Sequence, residues 1–320
     1  MIKKLQELFR ESIHLEGNLI KADSQSKEDL ATNQDQTKDI FSDKWTEVNK
    51  DEKVSELYTF QFDWFLKLYG FKNEEELAAY LSNKQFIIDT GCGLGYKAAW
   101  FAKLAPKSIV IGIDISDAAL IAAKNYSNVP NLFFLKADIA KTGIKPNSID
   151  FTVCDQVIMH TEDPEYTFKH LSEITKEDCD FACYVYRKKA LPRELIDDYF
   201  RTQTHNISSE EMWKFSDQLT ELGKRLTELN VKFNCPDIPV LGIKGGEYDI
   251  QRFIYWNFLK CFYKPEWSKQ LNDSTNYDWY APSNAKRFSK EEFEKMISDN
   301  HLSISYFHEE EACYSGRFKK

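Results

Sequence analysis

The chain reads as an α/β protein: a doubly wound, mostly parallel sheet with an antiparallel last strand, plus N-terminal helices and a helical lid insertion. Three observations lead to this. The apolar run Phe86-Ile-Ile-Asp89 passes directly into Gly91-x-Gly93-x-Gly95 and then into a helix-patterned stretch, Tyr96 to Leu104. Between 86 and 187, short apolar runs alternate with helical segments, as parallel strands with covering crossover helices require. After residue 289, one helix pattern and two strand patterns close the chain.

In order along the chain, Leu5, Phe9 and Ile13 recur at four-residue spacing and predict a short amphipathic helix. Residues 1–85 as a whole read as a helical, charged cap, with the polar stretch 22–39 a linker or a solvated helix. Phe41 and Trp45 precede an aromatic helix, Ser55 to Tyr69, which Gly70 ends, and Asn73 N-caps the next, Glu74 to Leu81. Strands are expected near 86–89, 108–113, 132–136, 149–154 and 181–186, with helix starts at Ser116 and at Asp163-Pro164. Residues 190–288 are too long for a connection and read as an aromatic-rich lid. They contain a helix, Ser208 to Leu229, the turn Cys235-Pro-Asp-Ile-Pro239, an aromatic helix, Tyr248 to Tyr263, and the segment Tyr277 to Pro282. A helix from Ser289 and a hairpin of 301–308 and 312–318, turning at Glu309-Glu-Glu311, complete a core of 86–189 and 289–320.

Composition narrows the function classes. With a net charge of −9 and a pI of about 5.4, bulk binding of DNA or RNA is disfavoured. The basic run Arg187-Lys-Lys189 reads as a solvated strand end. Seven cysteines include no C-x-x-C pair, and no His/Cys cluster has zinc spacing, so no metal site is expected and the thiols read as reduced. The N-terminus has no uncharged apolar core and is not read as a signal peptide. No run approaches the roughly eighteen apolar residues of a membrane span. A cytoplasmic protein without membrane or nucleic-acid partners is expected, with a homo-oligomer left open.

The glycine turn discriminates between cofactors. A dinucleotide turn has the spacing G-x-G-x-x-G, with a pyrophosphate on the helix N-terminus. Here the third glycine comes one residue early, and Tyr96 stands where that fingerprint has glycine. Asp89 would repel a pyrophosphate but suits an ammonium. S-adenosylmethionine carries an ammonium, a ribose and no phosphate. Asp114, ending the second apolar run, is placed to grip the ribose diol. Asp89 and Tyr96 together count against a nicotinamide oxidoreductase.

The motif Asp89-Thr-Gly-Cys-Gly-Leu-Gly95 resembles the first motif of the class I S-adenosylmethionine-dependent methyltransferases, and Gly112-Ile-Asp114-Ile-Ser116 their second. Asn131-Leu-Phe-Phe-Leu-Lys-Ala-Asp138-Ile139 resembles the third, and Ser148 to His160 the fourth strand and the segment after it. The similarity runs over 86–187 and recurs weakly over 291–320. It implies a Rossmann-like sheet with S-adenosylmethionine as cofactor and S-adenosylhomocysteine as product. It further implies that Asp89 with Gly91, Cys92, Gly93 and Gly95 holds the methionine part, Asp114 with Ile115 the ribose, and Asp138 with Ile139 the adenine. The Phe41/Trp45 pair resembles a cofactor-covering cap of some small-molecule members, or else packs within the helical layer. Thr175-Lys-Glu-Asp-Cys-Asp180 stands where the family has a Pro-Gly-Gly-like turn.

Methyl transfer needs alignment, exclusion of water and, for a hydroxyl or protonated amine, a base. His160 is the candidate base, with a helix-start or supporting histidine as the other reading. Asp155 is the second polar candidate at that strand tip, for the acceptor or for the methionine amine. Tyr255, Arg252, Trp256 and Tyr280 are candidate substrate-binding residues, with Glu247, Asp249 and Asp278 further polar choices in the lid. No Asn/Asp-Pro-Pro-aromatic motif follows the fourth strand, which disfavours methylation of nucleic-acid bases. The expected function is methyl transfer to an oxygen or nitrogen, less readily a carbon, of a small-molecule or biosynthetic-intermediate acceptor. A non-catalytic module that binds S-adenosylmethionine or S-adenosylhomocysteine and acts through protein contacts is the alternative.

Overall fold

Strands without a polar face are stable only where both faces are covered. The computed structural model, which describes residues 2–22, 32–204 and 207–320, builds its sheet in this way. The N-terminal part comprises α1 (Ile2–Leu8), β1 (Ile13–Glu16), β2 (Leu19–Ala22), α2 (Thr32–Val48), α3 (Val54–Leu68) and α4 (Glu74–Leu81). The alternating part follows as β3 (Phe86–Thr90), α5 (Tyr96–Leu104), β4 (Ile109–Asp114), α6 (Ala118–Asn125), β5 (Leu132–Lys136), β6 (Ile149–Cys154), α7 (Pro164–Ile174) and β7 (Thr175–Tyr186). The insertion holds α8 (Leu191–Thr204), α9 (Ser209–Glu228), β8 (Lys232–Cys235), β9 (Gly246–Asp249), α10 (Ile250–Asn257) and α11 (Lys269–Tyr280). The chain closes with α12 (Lys290–Asp299), β10 (Ser303–Glu309) and β11 (Cys313–Lys319).

Among the described residues the main sheet runs β1-β2-β5-β4-β3-β6-β7-β11-β10. The pairs from β2 to β7 are parallel, and β11 lies antiparallel between β7 and β10. Every residue of β3 and β4 is buried. The register sets Thr152 beside Phe181, so Phe151 points to the opposite face. Phe151 meets Tyr80 of α4 and Phe101 of α5, whereas Phe181 meets Phe168 of α7, which in turn touches Phe293 of α12. Helices therefore cover both faces, as the doubly wound reading requires.

Several local expectations needed correction. The N-terminal region is not wholly helical: Ile13 lies in β1, and the β1/β2 hairpin extends the sheet beyond β5 through Leu19 and Ile20. Ile13 and Leu15 also alternate with polar residues, and Gly17-Asn18 supplies a two-residue turn, so the strand period wins once β5 offers an edge. Of the stretch 22–39, residues 23–31 lie outside the described residues, and the remainder from Thr32 belongs to α2. The strand expected at 181–186 starts at Thr175 directly from the end of α7, with Asp178 at φ 60°. The aromatic helix expected over 248–263 is helical only over Ile250–Asn257. Beyond it, Lys260 N donates to Tyr280 Oη (3.1 Å), Phe262 N to Asn276 Oδ1 (2.8 Å) and Lys264 N to Asn272 Oδ1 (2.8 Å). Side chains of α11 satisfy those backbone donors, so the chain need not continue as helix.

The lid is built on α9 and α11, with Met212, Leu219, Tyr277, Trp279 and Tyr280 in its own small core. The capping boxes at Ser208 and Ser289 start α9 and α12 where the sequence places them. Helix α2 is bound to the lid through Asp43, which accepts from Ser209 Oγ (2.5 Å), Trp213 Nε1 (2.8 Å) and Tyr277 Oη (2.8 Å). Among the described residues, no helix is long and apolar enough to cross a membrane.

Gly223 of α9 lets residues 261–263 cross it closely, since a Cβ there would stand 2.4 Å from the Cys261 carbonyl oxygen. Gly223→Ala should therefore lower the unfolding free energy by about 1–3 kcal/mol, read from urea melts. An unchanged midpoint would mean that this crossing is not part of the folded lid.

Candidate functional site

The glycine loop is shaped by backbone conformation and by what lies against it. Gly91 and Gly95 adopt φ of 72° and 79°, a region that side chains disfavour. A Cβ on Gly91 would come within 2.4 Å of Val157, and one on Gly95 within 2.8 Å of Phe134. The amides of Gly91 and Cys92 donate to Ile113 O (2.6 and 3.0 Å), locking the loop to the end of β4. Gly93 N donates to Asp114 Oδ2 (2.8 Å), while Asp114 Oδ1 accepts from Ser116 N (2.8 Å) and Oγ (2.6 Å). Burial raises the Asp114 pKa, against the pull of these hydrogen bonds.

Asp89, at the tip of β3, is 1 % exposed, and its Oδ2 has no hydrogen-bond partner. Burial pushes its pKa up to about 6, with Lys97 opposing and Asp155 and Asp114 adding to the shift. An orphaned carboxylate oxygen beside a loop that excludes Cβ atoms suits a compact cation attached to a larger ligand. On this observation, the residues present fit the ammonium of S-adenosylmethionine.

The sequence reading missed the partner of Asp155. Lys97, in the first turn of α5, forms a buried ion pair with Asp155, which also accepts from Tyr69 Oη (2.9 Å) and Gln156 Nε2 (3.1 Å). Burial works against the Lys97 charge, but Asp155 holds its pKa above the ordinary value. A signal was present: Lys97 in the first turn of α5 opposes the helix dipole, unlike Lys103 in its last turn, and so calls for a carboxylate nearby.

A cavity of about 570 Å³ opens above the carboxyl ends of the parallel strands. Gly91, Cys92, Asp114, Ile115, Asp138, Ile139, Asp155 and His160 line it from the core. Phe41, Lys44 and Trp45 line it from α2, and Arg252, Tyr255, Trp256, Lys260, Asp278 and Trp279 from the lid. Asp89, Gly93 and Gly95 lie behind this wall: Gly95 serves the packing on Phe134, and Gly93 sits under the Trp45 indole. Asp138 Oδ1 accepts from Ala140 N (2.9 Å).

His160 is buried, and its Nδ1 lies 2.7 Å from Asn284 O. A carbonyl only accepts, so Nδ1 carries the proton and Nε2 is left as an acceptor, 3.4 Å from Tyr186 Oη. Burial lowers the His160 pKa to about 4, despite the Asn284 carbonyl. Such a ring is neutral and only weakly basic at pH 7, which suits a fixed acceptor for Tyr186 better than a general base.

Of the expected substrate contacts, Arg252, Tyr255 and Trp256 face the cavity, and so does Asp278. Tyr280 is a correction: it is buried in the lid core, its hydroxyl donating to Asp197 Oδ1 (3.0 Å) and accepting from Lys260 N. Its polar tip is used by the lid itself. Asp249 is the N-cap of α10, and Glu247 is an exposed partner of Lys232 in the β8/β9 hairpin. Lys189 is also corrected, from a solvated strand end to a cavity residue whose Nζ donates to the carbonyls of Arg187 (2.9 Å), Glu311 (2.6 Å) and Ala312 (3.0 Å). Periodicity cannot reveal any of these, because the partners come from distant segments.

Residues 81–235 match the model of a methyltransferase domain family. Cycloartenol-C-24-methyltransferase 1 of Oryza sativa subsp. japonica is 23% identical over 213 residues, 65% of this chain and 52% of that protein. An uncharacterized methyltransferase of Schizosaccharomyces pombe is 28% identical over 106 residues, 30% of this chain and 38% of that one. The chain thus spans about half the length, or less, of the curated relatives it matches. Among solved structures, magnesium protoporphyrin IX methyltransferase of Synechocystis PCC 6803 with bound SAM is similar at 13% identity and a TM-score of 0.46, over 92% of this chain and 100% of that one.

The raised pKa of Asp89 has a signed consequence for stability. Above pH 6 the folded state holds a buried carboxylate that the unfolded chain would solvate, so its ionisation destabilises the fold; below about pH 4 both states are protonated and the effect vanishes. Asp89→Asn should accordingly stabilise the protein at pH 8 by on the order of 2–3 kcal/mol, with the gain shrinking as pH falls through 6. Thermal melts across pH check this; a variant equally destabilised at every pH would contradict it.

Proposed function

We propose that this protein, whose residues 81–235 match a methyltransferase domain family, is a class I methyltransferase that transfers a methyl group from S-adenosylmethionine to an oxygen or nitrogen atom of a small organic acceptor, a carbon atom being the less favoured target. One observation carries the reading. A single cavity is bounded by the glycine loop and strand tips on one side and by the cap and aromatic lid on the other. A donor and a small acceptor therefore share one enclosed space.

When bound, the cofactor supplies a methyl group on a sulfonium, open to in-line displacement. Asp89 and the Gly91 loop would hold its amino-acid part, Asp114 with Ile115 its ribose, and Asp138 with Ile139 its adenine. Phe41 and Trp45 would exclude water from above, which strengthens the remaining electrostatic interactions. Asp155 is fixed by Lys97 and Tyr69, so it presents a set orientation toward the cavity. His160 would hold the Tyr186 hydroxyl, and Tyr186 and Asp278 would orient the acceptor. The chain's contribution is chiefly alignment and exclusion of water, which together account for large rate effects when the reacting atoms are held close.

The direct test incubates the protein with methyl-labelled S-adenosylmethionine and the small-molecule fraction of a cell extract. Label in a small organic product is expected. Binding of S-adenosylhomocysteine with no transfer to any fraction would favour the non-catalytic module instead. Asp114→Ala should weaken S-adenosylhomocysteine binding by about 1–3 kcal/mol through lost charge-assisted hydrogen bonds; unchanged affinity in a calorimetric titration would remove the ribose assignment. His160→Ala should retain cofactor binding and slow transfer. Because burial holds His160 near a pKa of about 4, the wild-type rate should show no inflection near pH 6.5 that this variant abolishes. Finding one would restore His160 as the base.

A further inference from the structure

The charge of the acceptor side of the cavity opposes that of the protein. Against a chain net charge of −9, the walls contributed by α2, α3 and the lid carry mainly lysine and arginine. Some of this charge is cancelled locally. Lys67 pairs with Glu310 (2.8 Å), Arg193 with Asp197 (2.8 Å), and Lys44 with Asp278 (2.6 Å). With Asp278 matched by Lys44, Lys260 is in excess. Its side chain is 7 % exposed, its Nζ stands 3.7 Å from Asp278 Oδ1, and it donates to no closer partner among the described residues. It lies instead over the Trp279 ring, 4.6 Å from the centroid.

Two more cations share this arrangement. Lys264 Nζ lies 4.2 Å from the Phe60 centroid and 4.9 Å from that of Trp267, and the Arg252 guanidinium 5.4 Å from that of Tyr255. Neither has a carboxylate partner among the described residues. An aromatic face holds a cation in position without neutralising it. Withdrawing an ammonium from water is costly, so an uncharged ring alone does not balance a buried Lys260. The carboxylate of S-adenosylmethionine can match one of the three, which leaves a positive excess for the second ligand.

Resting on the methyl-transfer reading, we propose that the acceptor is an organic anion: its carboxylate or phosphate meets Lys260, with Arg252 and Lys264 contributing to the field, and its apolar or aromatic body lies against Trp279 and Tyr255. The groups facing Lys260 are Asp278 of α11, Lys44 of α2, and Arg193 and Asp197 of α8. Burial lowers the Lys260 pKa to about 8, with Arg193 and Lys44 in the same direction and Asp278 against it. Anion affinity should therefore fall between pH 7 and pH 9, as Lys260 gives up its proton.

The test is calorimetric titration of the protein saturated with S-adenosylhomocysteine, using phenyl phosphate, benzoate and benzyl alcohol as probes. At pH 7 at least one anion should bind ten times more tightly than the alcohol, and the stronger of the two identifies the headgroup. Lys260→Met should lower anion affinity at least tenfold and leave S-adenosylhomocysteine affinity within twofold. Equal binding of the alcohol, or no binding of either anion, overturns the proposal. A joint loss of anion and S-adenosylhomocysteine binding in Lys260→Met also overturns it, by assigning that lysine to the cofactor carboxylate. If that variant does not fold, wild-type anion affinity at pH 7 and pH 9, and Arg252→Ala on the exposed side, decide the matter; a flat pH dependence with unchanged Arg252→Ala affinity overturns it. Failure of the wild type to bind S-adenosylhomocysteine would sink the methyl-transfer reading instead, and the same probes titrated without it would still measure the anion preference.

Discussion

The buried pair of Lys97 and Asp155 is the constraint around which the site is arranged. Both side chains are almost fully removed from water, at 5 and 1 % exposure. Each is supportable there only because the other is present, since a lone buried charge costs several kcal/mol. The pair joins the first turn of α5, directly after the glycine loop, to the tip of β6. Tyr69, just beyond α3, adds its hydroxyl to the same carboxylate, so the N-terminal cap is tied in too. Loop, strand tip and cap thereby share one electrostatic centre.

That centre leaves Asp89 exceptional. Lys97 acts on both carboxylates, yet its hydrogen bond goes to Asp155. Asp89 keeps an unpartnered oxygen at a raised pKa of about 6. A buried carboxylate that weakens the fold, set just behind a cavity wall, is the pattern expected where ligand binding, rather than packing, determines a residue.

The cavity depends on segments far apart in the chain. Asp43 of α2 binds α9 and α11 through side-chain hydrogen bonds, and Gln36 Nε2 donates to Ala281 O (2.9 Å). Cap and lid thus close the cavity as one body over the strand tips. The lid satisfies its irregular stretch after α10 with asparagine side chains of α11. This frees Lys260, Phe262 and Lys264 to face inward, where a continued helix would have distributed them around its axis.

The sequence by itself determined the alternating core. Largely apolar runs alternating with helical segments call for a doubly covered parallel sheet, and three closely spaced glycines after Asp89 leave few turn geometries, so β3 to β6, the loop and the capped helices fall where local chemistry puts them. Local signals were insufficient where two periods coincide, as at Ile13, which suits a helix face or a strand until β5 supplies a partner. They were insufficient again over 258–264, where backbone donors are satisfied from another helix, and at Tyr280, whose hydroxyl is taken by Asp197. Only the tertiary structure decided that Lys97 pairs with Asp155, that His160 is a buried neutral acceptor, and that Lys44, Lys189 and Lys260 line one cavity. The physical reason is that charge and hydrogen-bond partners act through space: a side chain's pKa and its role depend on neighbours that the fold brings from elsewhere in the chain, whereas periodicity and turn chemistry act between residues a few positions apart.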